Sequence, residues 1–209
     1  MARQLANALN YIFIDSGAMY RAIALYFIQQ RINLDDHLAI EKGLEQISLS
    51  FQKNIQTGNN EIWMNDENVE QRIREMEVAS KVSDVAAIKA VRAFAVAQQQ
   101  LIGKDKGVVM DGRDIGTVVF PDAELKIFMT ASQDVRAQRR FAELLAKGDD
   151  VTLGDIAKNL EHRDTIDANR ENSPLTMTSD YRVLDNSHLD RDAQFALAMD
   201  WVETAIQGV

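Results

Sequence analysis

No cysteine occurs anywhere in the 209 residues. Disulfides, thiolate nucleophiles and Cys-ligated zinc are therefore excluded together, and the composition fits a reducing compartment. Proline is nearly absent, with two copies, one of which, Pro174, stops a helix predicted to run to about 169. Positive charge is also in short supply. Lys and Arg number 23 against 32 Asp and Glu, for a formal net charge of −9. Nucleic acid or an anionic membrane would demand a basic face, so neither is an expected partner, and any phosphate site must be a local arginine cluster. Long apolar runs are missing, and the opening MARQLANALN has neither a signal-type core nor a small-residue cleavage pattern. A soluble, cytoplasmic protein is expected. The three histidines, His37, His162 and His188, lack metal-ligand spacing and receive no role.

What is present is enough apolar material, 46% of residues, to bury the core of one main domain with an insertion. Residues 2 to 9 read as the end of an amphipathic helix, with Leu5 and Ala8 on one side and no residue ahead to cap a start. The run Tyr11-Ile12-Phe13-Ile14, ended by Asp15-Ser16-Gly17, suits a buried parallel strand feeding a turn. Residues 18 to 30 then follow helical spacing through Met19, Ala22, Ile23, Tyr26 and Phe27. From about 40 to 72 the character changes. Ile47 to Phe51 and Glu61 to Asn65 are short strand-like runs flanking Thr57-Gly58-Asn59-Asn60, a hairpin signal, and the segment is predicted to be a small β insertion.

A helical stretch over about 75 to 102, with a break predicted near Ser83, leads into a buried strand at Gly107 to Gly112. Leu125 to Met129 is a third core strand, and Ser132 can cap a helix running to about 147. Thr152 with Asp155 forms a capping box for the helix that Pro174 stops. Tyr181 to Leu184 is a fourth strand, and Asp190 caps a terminal helix whose stripe includes Phe195, Met199, Val202 and Ile206. Strands alternating with helices imply an α/β fold, a doubly wound, mostly parallel sheet with ligands beyond the carboxyl ends of its strands.

The residues at those ends are Asp15, Ser16, Gly17, Tyr20 and Arg21 after the first visible strand, Asp111-Gly112-Arg113-Asp114 after the second, and Arg136, Arg139 and Arg140 on the helix after the third. Taken singly, most have an ordinary reading. Arg21 alone is a solvated helix arginine. Arg136, Arg139 and Arg140, with Asp134 and Glu143 nearby, could form an ion-paired surface, and Arg163, Asp167 and Arg170 a stabilised helix face. Asp111-Gly112-Arg113-Asp114 reads instead as a site, since two acids and an arginine at the mouth of a buried strand are a costly way to make a turn.

The joint pattern is more specific than its parts. YIFIDSGAMYR at 11 to 21, DGRDIGTVVFPDAELKIFMTAS at 111 to 132 and RDTIDANRENSPL at 163 to 175 closely resemble the cytidylate kinases in order and spacing. The likeness covers nearly the whole chain. DGRDIGTVVFP separates it from adenylate and thymidylate kinases, which share the fold. The resemblance implies a P-loop NTPase-like nucleoside monophosphate kinase. Its core would comprise 1–39 and 73–209, with a lid at about 136–165 and a monophosphate-binding insertion at 40–72. It implies ATP and CMP or dCMP as substrates, Mg²⁺ with the ATP, no nucleic-acid or membrane partner, and a cytoplasmic monomer. Turnover of UMP or dCMP would be a difference of substrate only.

Carried over residue by residue, Ser16, Arg92 and Asp114 would read the cytosine, an acid and an amino-bearing base making a sensible acceptor and donor. Arg21, Arg113 and Arg170 would hold the CMP phosphate, and Ser83 and Asp167 the sugar. Arg136, Arg139, Arg140 and Arg163 would form the mobile lid that closes, with Arg113, on the transferring phosphoryl group. Asp111 would hold the Mg²⁺ hydration shell. A kinase of this kind should open with a strand and Gly-x-x-x-x-Gly-Lys-Ser/Thr, which occurs nowhere in these residues. The first strand and P-loop are expected to have been lost through a misplaced start or a shortening of the chain. The alternative is a catalytically inactive CMP-binding protein of the same fold. The missing strand would be the central one, so two half-sheets with open edges are expected.

Overall fold

In a computed structural model, residues 1–146, 148, 150–170 and 173–208 are described. The chain folds as two compact units, Ala2–Phe120 and Pro121–Val209, the latter grouped with Met1.

The first unit is built around a helix that is apolar on almost every side. After α1 (Ala2–Leu9) and β1 (Ile12–Asp15), α2 (Ser16–Gln29) begins where the Asp15 carboxylate accepts the Ala18 amide at 2.9 Å, satisfying one of the orphan N–H groups of the first turn. Met19, Ala22, Ile23, Ala24 and Phe27 are all buried, so α2 is a central core helix with no wide solvated face. Around it pack α3 (His37–Glu45), α4 (Met76–Ala87) and α5 (Lys89–Ile102). They contribute Ile40 and Leu44, Val78 and Val85, and Val91 and Ala95 to one continuous core. Each large side chain so buried is worth about 1.5–3 kcal/mol.

The inserted hairpin, β2 (Leu49–Lys53) with β3 (Asn60–Met64) and the short β4 (Glu67–Asn68), is antiparallel and pairs Leu49 with Met64 and Lys53 with Asn60. Its turn needs Gly58, which sits at φ +70° and donates its N–H to the Asn54 carbonyl at 2.8 Å. The insertion is seated on the core by Ile62 and Met64, both buried, and by the Asn60 amide, which donates to the Phe13 carbonyl at 3.4 Å.

β5 (Val108–Asp111) lies parallel to β1, pairing Ile12 with Val108 and Asp15 with Asp111. Both strands thus end side by side in an acid. Among the described residues of this unit no strand takes the other edge of β5, whose first three residues are only half-buried although parallel strands are usually covered on both faces.

The second unit has its own parallel pair, β6 (Lys126–Thr130) with β7 (Tyr181–Asp185), joined through α6 (Gln133–Ala146) and α7 (Leu153–Asn169) and followed by α8 (Arg191–Gln207). Lys126 pairs with Asp180, a hydrogen bond that holds the Asp180 carboxyl down at about 2. Asp190 caps α8 by accepting the Ala193 and Asp192 amides at 2.8 and 3.0 Å. Arg182 of β7 lies over the Trp201 ring of α8, 5.7 Å from its centroid.

Several expectations are corrected. The helical break falls at Ile88, in extended conformation (φ −69°, ψ 125°), five residues beyond Ser83, which sits inside α4. Residues 37–45 are helical, capped by Asp36, so the strands of the insertion begin only at Leu49. Ile206 is 63% exposed, and the buried positions of α8 are Ala198 and Val202. The end of the helix predicted to reach 147 lies outside the described residues, as do positions 147 and 149 of the predicted lid and 171–172 of the third quoted stretch.

Candidate functional site

The carboxyl ends of β1 and β5 carry most of the chemistry of the first unit. Ser16, the first residue of α2, is 4% exposed. Its hydroxyl faces Gly112, where a Cβ would fall 2.3 Å from Ser16 Oγ and 2.8 Å from the Ile115 side chain. The glycine is therefore needed for a close approach of the loop after β5 to the start of α2.

Two residues on, Asp114 is anchored through its backbone. Its carbonyl accepts the Val118 amide at 2.9 Å at the head of a single π-turn, Ile115–Val119, whose Val119 carbonyl accepts from Gln100 of α5 at 3.2 Å. Such wide turns are frequent at functional sites. Nothing in the periodicity of Ile115-Gly116-Thr117-Val118-Val119 announces this one.

The Asp114 carboxylate is paired with Arg92 Nη2. Both side chains are nearly sealed from solvent, 4% exposed for Arg92 and 6% for Asp114. Arg92 Nη1 also donates to the Ala86 carbonyl in the last turn of α4 at 3.4 Å, using an acceptor that the helix end leaves open. The Tyr20 ring of α2 covers the guanidinium, 5.5 Å from Arg92 Cζ to the ring centroid. Arg92 Nε is buried with no hydrogen-bond partner among the described residues. A permanently charged donor with an unused N–H, fixed beside an acid, is equipped for a ligand that offers an acceptor and a donor along one edge.

Around this pair, the Arg21 guanidinium lies near the start of α2, since a Cβ on Gly17 would stand 3.6 Å from Arg21 Nη1. A helix N-terminus with an arginine beside it favours anions. Ser83 is half-buried on α4 and Arg113 is exposed. Burial, and next the charge of neighbouring Asp15, push the Asp111 carboxyl up to about 6, although part of the side chain reaches solvent. Arg113 opposes that rise. Asp15 Oδ2 also stands 3.9 Å from Arg74, itself paired with Glu70 of the insertion.

In the second unit, Arg136 of α6 pairs with Asp164 of α7 at 2.7 Å. Arg139 donates to Asn186 Oδ1 at 2.9 Å and to the carbonyls of Asn186 at 2.8 Å and Leu189 at 3.3 Å, which tie it to the loop after β7. These arginines, with Met129, Thr130, Ala131 and Asn186, line an open hollow of about 170 Å³. Arg140 pairs with Glu143 one turn along its own helix, and Arg163 is exposed on α7. Arg170, which ends α7, stands 3.4 Å from Asp167. Ser16, Arg92 and Asp114 are thus gathered in the first unit, and Arg136 and Arg139 in the second. Tyr20, Asp15 and Asn186 were given no role from the sequence. The position of Asn186 just past a parallel strand is the signal that could have found it.

The cytidylate kinase family model matches residues 1–203. The chain is 54% identical over 205 residues to the cytidylate kinase of Flavobacterium psychrophilum, covering 97% of this chain and 91% of that protein. It is 48% identical over 210 residues to that of Flavobacterium johnsoniae, covering 99% and 91%, and 51% identical over 197 residues to that of Bacteroides thetaiotaomicron, covering 93% and 86%. Parallel strand pairs with flanking helices and likeness of this extent define a nucleoside monophosphate kinase, a phosphotransferase of α/β fold. Within that class the chain belongs to the cytidylate kinase family. These likenesses lend no support to the alternative of a catalytically inactive binder. No helix among the described residues is long and apolar enough to cross a membrane.

Proposed function

We propose that the chain binds CMP or dCMP as acceptor in the transfer of the γ-phosphoryl group of ATP, giving CDP or dCDP. The observation that carries the reading is the buried Arg92–Asp114 pair with its unused Arg92 Nε. Cytosine presents an amino donor beside ring nitrogen and carbonyl acceptors, so Asp114 can accept where Arg92 donates, with Ser16 completing the edge. Uracil replaces the amino group by a carbonyl, which would face a carboxylate.

Arg21, Arg113 and Arg170 are assigned the phosphate, because guanidinium forks bind its oxygens bidentately and stay charged. Ser83 and Asp167 are assigned the sugar, and Arg136, Arg139, Arg140 and Arg163 the lid. The acceptor is itself an ionised phosphate, so the transfer asks for in-line positioning and neutralisation of spread charge, and proton abstraction has little part in it.

Mg²⁺ fits the residues present. Asp15 and Asp111 end side by side and Asp111 is disfavoured as a lone anion. Magnesium takes one or two carboxylates and keeps several waters. When bound it would neutralise phosphate charge, with Asp111 holding its water shell.

Titration calorimetry with CMP, UMP and AMP tests the reading. CMP is expected to bind at least about tenfold more tightly than UMP, and Arg170→Ala to cost about 2 kcal/mol of CMP affinity. Equal affinity for CMP and UMP would overturn the base-reading assignment, and an unchanged Arg170→Ala would return that residue to a helix-face role.

A further inference from the structure

Arg92 is restrained in two ways. Along its edge, Nη2 is paired with Asp114 and Nη1 reaches the Ala86 carbonyl. Across its face, the Tyr20 ring lies 5.5 Å from Cζ. The edge contacts come from the loop after β5 and the end of α4, the face contact from α2. Two edge bonds alone would leave the planar guanidinium free to tilt about the line joining its Nη atoms, and that tilt would swing Nε. A ring against one face opposes the tilt, through the attraction of a cation to an aromatic face and through simple contact.

Tyr20 is placed to do this by sequence spacing. It follows Ser16 by four residues, so both project from the same side of α2. Tyr20 is buried, 8% exposed, and belongs to the hydrophobic core of the first unit, which restrains its ring. Arg92 Nε is a donor that no acceptor among the described residues uses.

We propose that Tyr20 is a positioning residue for base selection, its ring fixing the plane in which Arg92 presents the unpaired Nε–H to a pyrimidine. The inference rests on the reading of Arg92 as a base donor, and it adds a residue that would touch no substrate. Removing the ring should leave Arg92 charged and paired but able to tilt. Contacts that CMP and UMP share would persist, while the alignment that favours CMP would degrade.

The test is the ratio of CMP to UMP affinity measured by calorimetry on the full chain. Tyr20→Leu should lower that ratio about tenfold, the scale of one cation–ring contact. Tyr20→Phe and Tyr20→Trp, which keep a ring, should hold it within about twofold of the unmodified chain. In an Arg92→Met background, Tyr20→Leu should change the ratio no further. A purely structural role for Tyr20 would instead weaken CMP and UMP together and lower the melting temperature at constant ratio.

A selective unmodified chain whose Tyr20→Leu variant is equally selective would overturn this inference alone, as would a Phe variant that falls as far as Leu. Equal binding of CMP and UMP by the unmodified chain would bring down the base reading and this inference together. Should Tyr20→Leu fail to fold, the unmodified chain still decides. Its Arg92 side-chain protons should show an upfield ring-current shift in NMR, and their absence from such a shift would overturn the placement.

Discussion

Replacing Asp114 by alanine should be among the most damaging single changes to the first unit. The carboxylate pairs with an arginine that is 4% exposed and cannot shed its charge at any ordinary pH. Once it is gone, the guanidinium keeps one acceptor among the described residues, the Ala86 carbonyl at 3.4 Å, while Nε already has none there. A buried cation is then left almost uncompensated. Removing one partner of a buried pair costs about 3–5 kcal/mol, against a total stability of about 5–15 kcal/mol for a chain of ordinary size. The truncation also removes the side chain of the residue from which the π-turn hangs. The backbone bonds of that turn survive, so the loss should stay near the electrostatic figure.

The assay can be confined to the unit concerned. The chain has two tryptophans, Trp63 on β3 in the first unit and Trp201 on α8 in the second. In a Trp201→Phe background, urea unfolding followed by Trp63 fluorescence reports the first unit. Asp114→Ala should lower its midpoint by an amount equivalent to about 3–5 kcal/mol. The double change Arg92→Met with Asp114→Leu should recover most of that loss, because two apolar side chains replace a pair that was expensive to desolvate. Arg92→Met alone should cost less than Asp114→Ala, since the aspartate left behind can be neutralised by a proton and the arginine cannot. A loss below about 1 kcal/mol for Asp114→Ala, or a double variant no better than the single, would refute the view that the pair is buried and mutually dependent.

Other changes test other joints. The Asp111 carboxyl is raised to about 6, burial first and Asp15 second. The stability it contributes is therefore complete below its unfolded value and is lost as pH rises through about 6. Asp111→Asn should gain on the native chain progressively from about pH 4 to 6 and hold a constant lead above about pH 7 in thermal melts; parallel profiles would contradict the shift. Gly112→Ala must push the new Cβ away from Ser16 Oγ at 2.3 Å. It should lower stability by about 1–3 kcal/mol and weaken CMP binding, where an alanine in open space would stabilise. A melt and a CMP affinity equal to the native chain's would show that the loop can simply step back. Asp190→Ala removes the acceptor of two amides at the start of α8 and should cost about 1 kcal/mol by urea unfolding, with CMP affinity unchanged.

The elements whose cause is local were legible in the sequence. β1 and β5 are short apolar runs that end in an acid, and the turn at Gly58 needs a residue at φ +70°. The caps of α7 and α8 are set by Thr152 and Asp190, side chains that accept amides two or three residues on. The break between α4 and α5 was misplaced because its cause is not local. Ser83 is a weak helix former in the middle of an apolar stripe, whereas Ile88 carries no breaking signal of its own and turns extended where α5 leaves α4. The same reasoning explains α3. Its nine residues sit between a capping Asp36 and the hairpin, a length at which amphipathic spacing barely repeats.

The site was harder, and the reason is physical. Seen as a sequence, Arg92 lies in a helix between Val91 and Ala93, and the default for an arginine there is solvent. Its acid is 22 residues away, beyond the helix, a turn and a strand, so no i, i+4 rule can find the pair. Likeness to a family supplied both names, but not their burial, and burial gives the pair its meaning. Exposed, Arg92 and Asp114 would be a surface ion pair worth little. Sealed at 4% and 6% exposure, they are held against the Ala86 carbonyl, the π-turn and the Tyr20 ring. The proposed discrimination of cytosine from uracil needs that fixity, because the two bases differ in the sense of their hydrogen bonds far more than in shape. A mobile arginine could satisfy either one.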